Sequence, residues 1–150
     1  MVRPATSAAS HSSPPLGAES IVLPLQAGSP SQLRDAVRQG LPFSAFEALA
    51  KQLQLTQQQV TAVLGIPPRT LARRKASRQL TPQESDRVYR VARAIDQAAD
   101  CLGSVDKAHQ WLKSPNRALA GEIPLDLLDT EIGARQVEEV LLRLNYGIYS

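Results

Sequence analysis

The chain has 150 residues and a mass of 16.3 kDa, enough for one compact domain or two small ones. Apolar residues make up 43% and aromatic residues 4%, and a single cysteine, Cys101, excludes an internal disulfide and a cysteine-based metal cluster within one chain. The net charge is +3, no run approaches the roughly 20 apolar residues that span a bilayer, and the amino terminus lacks the apolar segment of a signal peptide, so a cytoplasmic protein is expected.

Residues 1–28 are rich in Ser, Pro, Ala and Gly, which predicts a tail without a core of its own. Ile21, Val22, Leu23 and Leu25 form a short apolar island that could pair as a strand or dock on a partner. Helix signals follow. Ser29 before Pro30, with Gln32 at the capping distance, starts a short helix that Gly40 closes. Ser44 and Glu47 predict a capping box for the next helix, with Phe43 ahead of the cap. Thr56 and Gln59 repeat the box, stapled by Leu55 and Val60.

Thr81, Pro82 and Glu84 supply a cap, a first-turn proline and the reciprocal acid for a long helix. Val88, Val91, Ala92, Ile95, Ala98, Ala99 and Leu102 recur on one face of it, and Gly103 ends it. Ser104 caps the next helix, whose stripe is Val105, Ala108, Trp111 and Leu112, with Pro115 beyond. Turn-rich sequence through Gly121 leads to a short helical turn from Pro124. The last helix starts near Asp129 or Thr130, buries Val137, Val140, Leu141 and Leu144, and ends at Gly147. No segment keeps a period of two, so the fold class is all-α. The expected division is a tail over 1–28, a first helical unit over 29–80, a long connecting helix over 81–103 and a second unit over 104–150.

Charge separates the two units. Residues 1–50 hold three basic and three acidic side chains. Residues 51–80 hold Lys51, Arg69, Arg73, Arg74, Lys75 and Arg78 and no acid, while residues 81–150 hold eight basic against eleven acidic side chains. A basic segment beside an acidic remainder predicts one face for a polyanion and another for a different partner.

Residues 56–76 carry the pattern of a helix-turn-helix. Val60, Val63 and Leu64 form the inward stripe of the first helix, Gly65 suits the positive backbone angle of the turn, and Pro67 and Pro68 start the second helix rigidly. At 100° per residue Arg69 and Arg73 share one face of that helix. Leu71 lies roughly 160–200° away, placed to anchor it on the preceding helices. Such a helix is suited to a major groove, with Arg69, Thr70 and Arg73 toward base edges or phosphates and Arg74, Lys75 and Arg78 nearer the phosphate rim. One module makes few contacts, so a dimer on a two-fold site is expected.

Nothing in the sequence points to catalysis. His109 lies beside a packed stripe, His11 falls in the tail, and Cys101 has no histidine partner in sequence and suits a small core position. Glu122, Asp126, Asp129 and Glu131 match no metal-ligand spacing, and the glycines are scattered singly, so no cofactor or metal is expected. The carboxyl end, Leu144-Asn145-Tyr146-Gly147-Ile148-Tyr149-Ser150, is unusually apolar and aromatic for a terminus. Two outcomes fit equally: the end folds back on the core, or it inserts into a partner's cleft.

The run Arg69-Thr70-Leu71-Ala72-Arg73-Arg74-Lys75, followed by Leu80-Thr81-Pro82-Gln83-Glu84-Ser85-Asp86-Arg87, resembles the helix-turn-helix and linker of the Xre-type antitoxins paired with RES-domain toxins. Four later pieces resemble the toxin-binding domain of the same Xre/MbcA/ParS family: Ala108-His109-Gln110-Trp111-Leu112, Pro115-Asn116-Arg117-Ala118-Leu119, Gly121-Glu122-Ile123-Pro124-Leu125-Asp126-Leu127-Leu128, and Asp129-Thr130-Glu131-Ile132-Gly133 with Val137. The likeness runs from about residue 30 to the end.

It implies a non-enzymatic bacterial type II antitoxin that binds an NAD-consuming RES toxin, obstructs its pocket with the carboxyl-terminal helix and tail, and represses its own operon as a homodimer or a larger complex with toxin. The residues least needed by the fold are then the candidates for toxin contact: Arg135, Glu139, Arg143, Asn145, Tyr146, Ile148 and Tyr149. The alternatives are a helix-turn-helix transcriptional regulator whose second domain binds another protein or a small ligand, and a scaffold or polar-localisation protein. Trp111, Leu112, Pro115 and Leu119 are expected to serve the core and its turns, Pro124, Leu125, Leu127 and Leu128 to orient the final helix, and Gly133 to admit another backbone.

Overall fold

The helix starts follow local capping chemistry. In the computed structural model, which describes residues 29–146, Ser29 Oγ accepts the Gln32 N–H at the start of α1 (Pro30–Gln39). Thr56 and Gln59 form both arms of the capping box of α3 (Gln57–Leu64), and Thr81 and Glu84 do the same for α5 (Pro82–Leu102). Ser104 caps α6 (Val105–Leu112), and the Thr130 hydroxyl accepts the Gly133 N–H in the first turn of α7 (Glu131–Tyr146). Each arrangement satisfies N–H groups that a helix start otherwise leaves without partners.

The second helix departs from expectation. α2 runs Phe43–Leu53 and begins one residue before Ser44, with Pro42 at the cap and no side-chain capping bond. Its first N–H is satisfied from far away: Phe43 N–H donates to the Arg78 carbonyl at 3.0 Å, and Pro42 pairs with Gln79 as an isolated bridge. Starting there buries Phe43, which stacks on Phe46 with ring centroids 5.4 Å apart. A tertiary partner and core burial thus displace a local capping box.

α4 (Pro68–Ser77) follows α3 across a turn in which Gly65 has φ +69°, the left-handed geometry the sequence reserved for it. After α6, Asn116 and Glu122 pair across a tight loop that includes a 3-10 helix at Arg117–Leu119. A second 3-10 helix, Pro124–Asp129, forms the expected turn from Pro124. No strand occurs among the described residues. Two isolated bridges are the extended pairings recorded there.

α5 is the spine. Val88, Val91, Ala92, Ile95, Ala98 and Ala99 on its inner stripe are buried, and its neighbours include α1, α2 and α3 as well as α6, α7 and the 3-10 helix from Pro124. The buried apolar side chains make one continuous cluster from Leu41 to Leu141, so a single core runs under both units. Lys113 at the end of α6 adds a polar tie, donating from Nζ to the Leu53 carbonyl at the end of α2 at 3.0 Å. Leu112 holds the central position on α6. Trp111, expected to serve the core, is only half-buried against it.

α7 lies close against the segment before it. A Cβ at Gly133 would collide with the Leu127 carbonyl, so a side chain there would push α7 off the preceding turn. The apolar island over residues 21–25, His11 and the expected stop at Gly147 lie outside the described residues.

Candidate functional site: a cationic helix and an uncovered helix face

α4 has no fully buried residue. Leu71, half-buried against the core, anchors it from below, as its position opposite the arginines requires. Arg69, Arg73, Lys75 and Arg78 are exposed, and Thr70 is half-buried beside them. Arg78 occupies the left-handed region at φ +64°. Its carbonyl is engaged with Phe43 while its guanidinium faces solvent.

Arg74 stands apart from this group. The sequence placed it on the phosphate rim, but its Nε donates to Glu84 Oε1 at 2.7 Å, and its side chain is 23% exposed. Four of the five cationic side chains named on or beside α4 therefore face solvent, and the fifth is tied to α5. The nearest anionic charge recorded in contact with the helix is the buried Glu84 carboxylate. That leaves the outer surface free to meet a polyanion.

α7 buries Val137, Val140 and Leu141 and turns a second face to solvent. At 100° per residue, Ile132, Glu139 and Arg143 fall within roughly 40° of one another on that face, with Arg135 and Gln136 beside them. Ile132 is 76% exposed and Leu142 44%, the large apolar side chains left uncovered among the described residues. Arg135 is paired only with Glu131 on its own helix at 3.5 Å, an exposed contact worth little. Glu139 and Arg143 line a cleft of about 270 Å³ between α7 and the loop Ala118–Glu122.

The structure therefore brings Arg135, Glu139 and Arg143 onto one surface, with Asn145 exposed further along the helix. Tyr146 closes α7, and its side chain, like Ile148 and Tyr149, lies outside the described residues. Reasoning from the sequence missed Ile132 and Leu142. The signal was present: both sit off the stripe of Val137, Val140, Leu141 and Leu144 at helical spacing, so two apolar side chains had no core to enter.

The flank of α7 next to Arg135 is bound to α5 by ion pairs. Arg93 Nη2 meets Glu138 Oε2 at 2.8 Å, and Gln97 Nε2 donates to the same oxygen at 2.9 Å. Arg90 contacts Asp86 at 2.9 Å and Glu131 at 3.6 Å, and donates to the Leu128 carbonyl at 3.4 Å. This seam fixes the register of α7 on the spine, which sets which of its faces looks outward.

The remaining reactive groups are parts of the packing. Cys101 is half-buried and its Sγ donates to the Leu141 carbonyl at 3.3 Å. Burial and the neighbouring Asp100 charge push its thiol pKa up, away from a reactive thiolate. His109 is buried, and its Nε2 has no hydrogen-bond partner. Among the described residues no three of His, Cys, Asp and Glu gather as a metal site, and no helix is long and apolar enough to cross a membrane.

Comparison with known proteins bears on both faces. A model described as the antitoxin Xre-like helix-turn-helix domain matches residues 32–93, and one described as the antitoxin Xre/MbcA/ParS C-terminal toxin-binding domain matches residues 97–147. The first holds α4, the second holds α7, and they adjoin within α5. The chain is 31% identical over 128 residues to Antitoxin Xre of Yersinia enterocolitica, spanning 84% of this chain and 86% of that one. It is 33% identical over 120 residues to Antitoxin Xre of Photorhabdus laumondii, spanning 79% and 81%. It is also 26% identical over 136 residues, 84% of this chain and 86% of the relative, to a protein of Sphingobium named Prs ADP-ribosylating antitoxin.

Proposed function

The chain belongs to the Xre antitoxin family, and from that premise we propose that it neutralises a cognate NAD-consuming RES-domain toxin by obstructing its active site, and that it holds operator DNA to regulate its own operon. The observation that carries the first half is the outer face of α7. A helix within the toxin-binding domain leaves Ile132 and Leu142 uncovered beside Arg135, Glu139 and Arg143, the mixture of apolar anchor and polar rim that a protein partner covers. In this reading Asn145, Tyr146, Ile148 and Tyr149, the polar and aromatic residues of the carboxyl end, enter the toxin's pocket and exclude NAD by occupying space, with no catalytic chemistry and no cofactor. The Sphingobium relative's name couples an antitoxin to ADP-ribosylation. ADP-ribosyl transfer draws on NAD, the dinucleotide a RES toxin consumes.

The second half rests on the acid-free cationic surface of α4. Arg69, Thr70 and Arg73 take base edges or adjacent phosphates, and Lys75 and Arg78 take phosphates. Two copies on a two-fold operator supply the contacts that one module lacks. Both activities belong in the cytoplasm, where NAD and operator meet.

The test is an NAD-consumption assay with the purified toxin encoded beside this chain. Full-length chain is expected to stop NAD loss at stoichiometric addition, and a chain lacking residues 145–150 to require a large excess while still shifting operator DNA. Undiminished NAD loss at saturating full-length chain overturns the toxin assignment. Full inhibition by the truncated chain at unchanged affinity overturns the tail's part in it.

A further inference from the structure

We propose that Glu84 and Arg74 form a positioning pair for DNA binding: the Glu84 carboxylate, fixed in the first turn of α5, holds the Arg74 guanidinium and thereby sets the angle at which α4 presents Arg69 and Arg73. This rests on the reading of α4 as the DNA-facing helix. One oxygen, Glu84 Oε1, accepts both the Thr81 N–H at 2.9 Å, the bond that caps α5, and the Arg74 Nε–H at 2.7 Å. The Glu84 N–H in turn donates to Thr81 Oγ1 at 3.1 Å, completing the box, and rotating the carboxylate away would break its bond from the Thr81 N–H. It is 7% exposed. Burial pushes its pKa upward, but the Arg74 and Thr81 hydrogen bonds and the Arg74 charge outweigh that and leave it below the ordinary carboxylate value.

α4 gains from such a tie because its other polar anchors gather at one end: the Arg78 carbonyl accepts the Phe43 N–H, and Gln79 pairs with Pro42. It buries no residue fully, and Leu71 alone packs beneath it from the helix interior. One half-buried leucine and anchors at its C-terminal end restrain a ten-residue helix weakly in rotation, and a charge-assisted hydrogen bond from α5 adds a fixed point on its flank. Arg87, one turn further along α5, donates to the Leu64 carbonyl at 3.2 Å, the end of the preceding helix. The first two turns of α5 thus grip both helices of the pair, and α5 continues into the toxin-binding unit.

The pair makes a prediction opposite in sign to plain electrostatics. Removing an acid near a DNA-facing surface should tighten binding by relieving repulsion, yet Glu84→Ala is expected to weaken it by roughly tenfold, because α4 loses its orientation. The probe is the DNA upstream of this chain's own gene, titrated with full-length protein at several salt concentrations. Arg74→Ala is expected to lower affinity with the salt slope unchanged, whereas Arg73→Ala lowers the slope by about one. Glu84→Gln, which keeps an acceptor for the Thr81 N–H and for Arg74, is expected to retain most of the affinity and serves as the folded control. The Arg74→Ala/Glu84→Ala double variant is expected to lose no more than either single variant.

Unchanged or tighter binding by Glu84→Ala, or a slope reduced by about one in Arg74→Ala, overturns the positioning role while leaving the DNA reading standing. Failure of the unaltered chain to bind overturns the DNA reading itself. Full additivity in the double variant overturns the pairing.

Discussion

α4 and α7 each present an exposed face, yet they are held in different ways. α7 is seated by Val137, Val140 and Leu141 in the shared core and keeps its face outward through ion pairs to α5. α4 buries nothing fully and is held by half-buried Leu71, by the Arg78 and Gln79 pairings with the start of α2, and by one guanidinium–carboxylate contact. A short helix with a cationic outer side has little apolar surface to spend inward, so polar contacts carry more of its positioning. A helix that covers a protein partner can afford apolar groups on both sides, an inner set for the fold and an outer set for the partner.

The comparison is broken most directly by cutting the core under α7. Leu141→Ala is expected to destabilise the chain by about 2–5 kcal/mol in thermal or denaturant unfolding, because Leu141 is 1% exposed and leaves a cavity. A loss below the range of surface substitutions would mean that α7 is not held by packing. On the other helix, Arg69→Ala and Arg73→Ala should each cost about 1–3 kcal/mol of operator affinity if they meet base edges, with toxin affinity and melting temperature unaltered. Gel-shift titrations against specific and random DNA decide it, since equal losses on both demote them to backbone contacts.

Ile132→Ser sharpens the contrast within α7 itself. At 76% exposure its stability effect should stay within about 0.5 kcal/mol, while toxin affinity falls by about 1–2 kcal/mol in a calorimetric titration. Unaltered toxin affinity would move the contact surface off this face. The smallest effect concerns acid stability. Burial, then the Lys113 charge, holds His109 below its ordinary value of 6.5, against the pull of Asp106. The unfolded chain therefore takes a proton first, so stability is fully present above pH 6.5 and declines as the pH falls below it, until the folded imidazole also protonates. His109→Gln should flatten that decline in unfolding curves recorded between pH 7.5 and 5, a range of about two and a half pH units around the ordinary histidine value.

Much of this was legible because it is local. Ser29, Thr56, Thr81 and Ser104 cap where their spacing to the next turn says, and Gly65 takes the left-handed angle between the two helices. The inward stripe of α5 is the one its periodicity names. Ser44 failed as a cap since the Arg78 carbonyl, brought alongside by the Pro42–Gln79 bridge, satisfies a helix start whose cap, Pro42, lies two residues earlier. Arg74 was misplaced for a like reason: its partner sits ten residues on, in a helix whose approach the sequence does not state. Of the candidate toxin contacts, chosen as the residues the fold least needs, Arg135, Glu139 and Arg143 are exposed on one surface of α7. Ile132 and Leu142 were left off the stripe by the same spacing, yet nothing was drawn from two large apolar side chains with no core to enter.

The sequence by itself determined the helices, their order, the cationic character of one and the apolar stripe of another, all properties of neighbours within a turn or two. Tertiary structure alone decided that one core joins both units, that Lys113 reaches the Leu53 carbonyl, that Glu84 takes Arg74 out of the solvent-facing set, and that α7 shows Ile132 to the outside. Those outcomes depend on how separate helices approach one another, and the packing of the whole core sets that approach, so no local rule of spacing contains it.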